Sequence, residues 1–167
     1  MSAPLTSGFK PIRRDQLYQE REHDAYRPAK KPVEPSVCPD CGAVFRDGRW
    51  QWTAPPPGAH EVVCAACQRI RDHFPAGFVQ LDGGFVGGHR AELMALLRHH
   101  EAKEKAEHPL VRMMDVEDQD GGVLLTTTDI HLARDLGEAV HRAYRGELEF
   151  HYNEGEKLLR VHWRRDA

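Results

Sequence analysis

Two C-x2-C pairs, Cys38/Cys41 and Cys64/Cys67, contain all four cysteines of the chain, with residues 42–63 between them. Two-residue spacing lets a tight turn aim two thiolates at one ion, and two such turns complete a tetrahedral S4 set with metal–sulfur distances of about 2.3 Å. Pro39 and Gly42 frame the first pair, and a glycine after the second cysteine permits the turn that brings backbone amides toward sulfur. Cys38, Cys41, Cys64 and Cys67 are therefore expected to bind one zinc per chain. Iron is the alternative, since thiolate ligation alone does not choose between the two. A thioredoxin-like couple needs one C-x-x-C in a βαβ setting and leaves the other pair unexplained. A closed S4 set has no open position for water, so the metal is expected to be structural. Binding energy of roughly 10–16 kcal/mol then folds a segment with little core of its own.

The segment around the pairs supplies cations and flat rings. Arg46, Arg49, Trp50 and Trp52 lie between the pairs, and Arg69 and Arg71 follow the second. Arginine with exposed indole suits phosphate contact and base stacking, whereas a small zinc module often uses one tryptophan as its whole core. One of Trp50 and Trp52 is expected to be core, with Trp52 the candidate contact. Upstream, residues 1–37 carry seven Lys or Arg against five Asp or Glu, with five prolines scattered among them. They read as a flexible basic arm in which only residues 14–24 suit a short helix. Arg13, Arg14, Lys30 and Lys31 are its candidate RNA contacts.

Beyond the cysteines the pattern changes. A short helix runs from near Cys64 to His73, and residues 78–81 read as a strand. GGFVGG at 83–88 precedes a helix over residues 89–107, where Leu93, Met94, Leu96 and Leu97 are apolar and EAKEKAE is charged, so that the last two turns are expected to be exposed. LVRMMDVE and VLLTTT flank the turn DQDGG as two strands of a hairpin. Thr128 or Asp129 caps the next helix, in which Leu132, Leu136, Val140 and Ala143 recur at helical spacing and Gly146 sits beyond the end. Residues 148–152 and 159–163 then alternate apolar and polar, and a turn over 153–156 would set Phe150 beside Leu159. The expected fold class is α+β: a small treble or ribbon-type zinc module over residues 38–80, then an α-β-β-α-β-β domain over residues 81–167 with an antiparallel sheet covered by two helices.

Catalysis has no support in the sequence. HHEAKE lacks the second histidine of H-E-x-x-H, Asp118 and Asp120 lack the spacing of a calcium loop, and GGFVGG is neither a dinucleotide nor a P-loop signature. No nucleophile sits beside a recognisable base. Net charge is −3, so a nucleic-acid role must rest on local patches. No run approaches the ~18 apolar residues of a membrane span, and the N-terminal residues lack the apolar region of a secretory signal. Both point to a cytoplasmic protein with no membrane partner, and the sequence identifies no small-molecule substrate.

KKPVEPSVCPDCGAVFRDGRWQW, CAACQRIRDHFPAG and TTTDIHLARDLGEAVHRAYRGEL together resemble a bacterial CPxCG zinc-ribbon family. That family in turn resembles the N-terminal part of the Nmd-type adaptor of the large ribosomal subunit, whose zinc modules are of the CPxCG kind. The resemblance implies association with a ribosomal particle or RNA, carries the four cysteines over as metal ligands, and carries over no catalytic residue. The adaptors' C-terminal domains and export signals have no counterpart here. A non-enzymatic adaptor is the expected function. A zinc-ribbon protein-interaction or regulatory module without RNA binding, and a thiol-based redox sensor, are the alternatives.

Overall fold

The computed structural model describes residues 9–12, 26 and 30–167. The candidate contacts Arg13 and Arg14, and the short helix expected over 14–24, lie outside them. The described chain forms two sheets and three helices.

The smaller sheet holds β2 (Ser36–Val37), β3 (Val44–Arg46), β4 (Arg49–Gln51) and β5 (His60–Glu61), in the order β4-β3-β2-β5. β2 begins two residues before the first cysteine, so the end of the segment read as an arm belongs to this sheet, with Ser36 fully buried. α1 (Ala65–Asp72) follows, and His73 ends it in a left-handed conformation whose amide reaches back to the Arg69 and Ile70 carbonyls.

The larger sheet is mixed, not antiparallel as the sequence predicts. β1 (Lys10–Pro11), β9 (Glu147–Asn153), β10 (Leu158–Arg164), β6 (Gly77–Asp82), β8 (Gly122–Thr127) and β7 (Met113–Gln119) lie in that order. β6 is the strand expected at 78–81, but it lies inside this sheet, parallel to β10 and antiparallel to β8. It therefore straddles the expected 80/81 boundary. The reason lies in its pattern: Val79 and Leu81 point to the helices and are completely buried, and only a central position buries them with a neighbour on each side.

α2 (Gly84–Glu107) and α3 (Ile130–Tyr144) cover one face of this sheet. Phe85, Val86, Leu93, Met94 and Leu97 of α2 and Ile130, Leu132, Ala133, Leu136 and Val140 of α3 meet Leu125, Phe150, Leu159, Val161 and Trp163 of the strands. Ala143, expected on the apolar stripe, is exposed. Asp129 caps α3, its carboxylate accepting the Leu132 amide at 3.0 Å. Close approach of α3 to β10 requires glycine at 137, where a Cβ would stand 2.4 Å from Val161 Cγ1.

α2 starts five residues earlier than expected. Phe85 and Val86 of the glycine run are core residues, and the helix kinks at His89, whose ring stacks on Phe85 at 3.8 Å. The last hairpin is shifted by two residues from the expected register: Phe150 faces Val161, and Tyr152 faces Leu159. The turn occupies 154–157, where Lys157 takes φ 55° and the Asn153 side chain accepts the Glu156 amide at 3.1 Å. A two-residue shift leaves every side chain on its expected face, which is why the alternation alone did not reveal it.

Candidate metal centre

The two cysteine pairs come from different local structures. Cys38 and Cys41 flank the turn between β2 and β3, closed by the Gly42 amide on the Cys38 carbonyl and the Cys38 amide on the Ala43 carbonyl, both 2.8 Å. Gly42 there has φ 81°, as the first pair's sequence context requires. Cys64 is the N-cap of α1 and Cys67 lies in its first turn, so the Cys67 amide donates to Cys64 Sγ at 3.4 Å. The Cys64 amide donates to Cys38 Sγ, also at 3.4 Å. Sulfur at a helix start is favoured by the free amides there and by the positive end of the helix dipole.

All four sulfurs lie within 4.8 Å of one another. A tetrahedral S4 site with bonds of about 2.3 Å has sulfur–sulfur edges of about 3.8 Å, and Cys41 Sγ stands 3.9 Å from Cys64 Sγ. That separation is far outside a disulfide bond, and the thiols are free. The donor set therefore fits one tetrahedral, thiophilic metal ion. Cys38, Cys64 and Cys67 are buried and Cys41 is partly exposed, so the fourth ligand closes the site on its solvent side.

The local environment splits the thiols. Burial pushes Cys64 up well above the ordinary range, against the lowering hydrogen bond from the Cys67 amide and with repulsion from Cys41 and Cys38 adding to the rise. Burial raises Cys67 as well, against a lowering hydrogen bond from Arg112. Burial would also raise Cys38, but amides of Cys64, Cys41 and Asp40 bring it down to about 7.

Arg112 is the residue that sequence reasoning missed. It precedes β7, is only 7% exposed, and donates from one guanidinium nitrogen to Cys67 Sγ at 3.2 Å and from the other to Cys64 Sγ at 3.6 Å. Its Nε donates to the Pro109 carbonyl at 2.7 Å. Thr128, just after β8, pins its backbone: the Arg112 amide donates to Thr128 Oγ1 and the Thr128 amide to the Arg112 carbonyl, both 2.9 Å. Leu110 packs on the sulfurs beside it. The sequence signal was a single arginine inside the otherwise apolar run LVRMM, a position that a strand assignment does not explain.

The candidate contacts divide by environment. Lys30, Lys31, Arg46 and Arg49 are exposed. Arg46 and Arg49 face each other across the β3–β4 pair, and Lys31 Nζ lies 3.5 Å from where a Gly48 Cβ would stand at the tip of that hairpin. Arg71 is bound to Asp40 at 2.5 Å, across the first cysteine turn. Arg69 is buried at 4% exposure, with its guanidinium over the Tyr26 ring at 4.4 Å and one nitrogen on the Phe74 carbonyl at 3.0 Å. It is part of the fold, and its place on α1 facing inward removes it from the surface set.

Trp50 packs against the cysteines and meets Phe45 edge-on at 5.4 Å. Trp52 is exposed on one face, but its indole N–H donates to the Lys105 carbonyl at 2.7 Å. The charged end of α2 is thus not simply solvated: Lys105 receives Trp52, and Glu101 accepts the Met113 amide at 2.5 Å. Among the described residues no helix is long and apolar enough to cross a membrane. Comparison with family models, with curated proteins and with solved structures finds no match to this chain.

Proposed function

We propose that the protein is a non-enzymatic zinc-binding adaptor whose treble-type metal module presents a cationic hairpin to structured RNA or a ribosomal particle. The metal ion has four protein ligands and no open position, and so serves to hold the module's shape. The observation that carries the RNA reading is the Arg46/Arg49 pair. Like charges directly opposite on a hairpin repel, and among the described residues neither arginine is in an ion pair. At the same tip Lys31 adds a third cation, and Asp47 and Glu34, which accepts the Gly48 amide at 2.6 Å, offset part of the charge. A phosphate backbone relieves that repulsion, and the rigid module holds the cations in register for it.

The test is binding to extracted ribosomal RNA as a function of salt, together with sedimentation in ribosomal fractions. Each phosphate contact to single-stranded RNA contributes about 0.7 to the log–log salt slope. Replacing Arg46 and Arg49 together by alanine should flatten the slope by about 1.4 while metal content stays unchanged. A second reading has its own observation: Ile70 on α1 and Phe74 just after it are 39% and 41% exposed, as suits a protein partner. Protein that stays at the top of the gradient at every salt, with no affinity for the RNA, decides for that reading.

A further inference from the structure

We infer that Arg112 is an outer-shell positioning residue of the metal centre, supplied by the larger sheet, and that through it metal occupancy and the order of that sheet's β7–β8 edge depend on each other. Four thiolates around one divalent ion leave a site of charge −2, largely buried, and such a site needs compensating cations and donors. Arg112 meets both needs. Its two terminal nitrogens reach two different sulfurs, Cys67 Sγ and Cys64 Sγ, and both belong to the pair at the start of α1. A guanidinium spans two acceptors with a fixed fork, which a lysine ammonium does not.

The arginine is also held rigidly on its own side. Nε is fixed on Pro109, and its backbone is tied in both directions to Thr128, at the end of β8 and directly before the α3 cap. The Thr128 hydroxyl donates in turn to the Leu110 carbonyl at 2.7 Å. A chain of hydrogen bonds thus runs from sulfur through Arg112 to the β7–β8 hairpin. With the ion bound, the sulfurs are fixed opposite the fork. Without it, the sulfurs keep only their amide and packing contacts, and a mostly buried guanidinium loses the thiolate charge it faces.

Two consequences separate this role from simple packing. Removing the fork weakens metal binding, and it also removes the influence of metal on the sheet. R112M retains much of the apolar volume and lacks both donors. Its zinc affinity, measured by competition with a chromophoric chelator, should fall by about 10–100-fold, the usual effect of losing an outer-shell partner. Linkage then requires the zinc-induced gain in stability to shrink by RT times the logarithm of that factor, about 1.4–2.7 kcal/mol. Amide hydrogen exchange over residues 113–128 supplies the second readout: zinc should slow it in the wild-type protein and leave it unchanged in R112M. A residue that only packs would lower stability equally with and without zinc and leave the affinity and the exchange response intact, and that result overturns the inference. If R112M does not fold in either state, R112K decides. It keeps a charge but reaches one sulfur at most, so reduced affinity with a reduced exchange response supports the role. Wild-type values of both in R112K refute it.

Discussion

Cutting the chain at residue 80 should destroy the larger sheet, although the sequence pattern places a domain boundary there. A fragment of residues 81–167 retains two residues of β6 and loses Gly77, Phe78, Val79 and Gln80. These four pair with Leu159–His162 on one side and with Leu124–Thr127 on the other, so their loss leaves β10 and β8 without a common neighbour. Val79 is fully buried and Phe78 nearly so; their burial contributes about 3–6 kcal/mol. The ladder hydrogen bonds on both sides, at about 1 kcal/mol net each, add several more. The sum is comparable to the ~5–15 kcal/mol that stabilises a whole domain. Circular dichroism during heating should therefore show a cooperative transition for residues 73–167, which keep β6 intact, and none for residues 81–167. Equal, cooperative melting of the two fragments would falsify the central role assigned to β6.

Three further outcomes are expected. Metal analysis of reduced, freshly purified protein should give one zinc per chain, and Cys64→Ser should lose it. Zinc binding at pH 7 should release at least about two protons per ion, because Cys64 and Cys67 are both held above their ordinary value and must be deprotonated to ligate. Release should diminish as pH rises through that range, and calorimetry in two buffers of different ionisation enthalpy measures it. Asp129→Ala should cost about 0.5–2 kcal/mol in denaturant unfolding by leaving the Leu132 amide without its cap.

What the sequence made legible was local. The cysteine spacing picked out the four thiols that the fold brings within 4.8 Å of one another, because two C-x2-C turns can converge on one point. The 3.6-residue period placed α3 and left its cap to Thr128 or Asp129, of which the fold uses Asp129, while the DQDGG turn and the two-residue alternation pointed to the two hairpins. The core residues Leu132, Leu136, Val140, Phe150, Val161 and Trp163 are all buried. The failures concern partners distant in sequence. Nothing in GFVQLD states that its neighbour is a strand about eighty residues later, so β6 was assigned to the wrong side of a boundary. Alternation is blind to a two-residue slip, which cost the register of the last hairpin. Arg69 is chemically indistinguishable from a surface arginine until the fold places rings over it, and the apolar run around Arg112 marks that residue without naming the sulfurs beside it. The Arg46/Arg49 pair, by contrast, lies within one short hairpin and is exposed where it was expected.

The parallel pairing of β6 with β10 also sets an order of events on the ribosome that makes the protein. All four cysteines and α1 have emerged once residue 73 is out, whereas Leu110 and Arg112, which contact the sulfurs, follow later, and α1 runs on into β6 after only a few residues. The partner strand that fills the other side of β6 ends at Arg164. At about 5–20 residues per second, roughly 4–16 s of synthesis separate the two strands. During that interval one edge of an apolar strand is open to solvent, next to the four cysteines. The nascent chain is most vulnerable to aggregation there, and metal limitation would add an unfolded neighbour to an unpaired edge at the same moment.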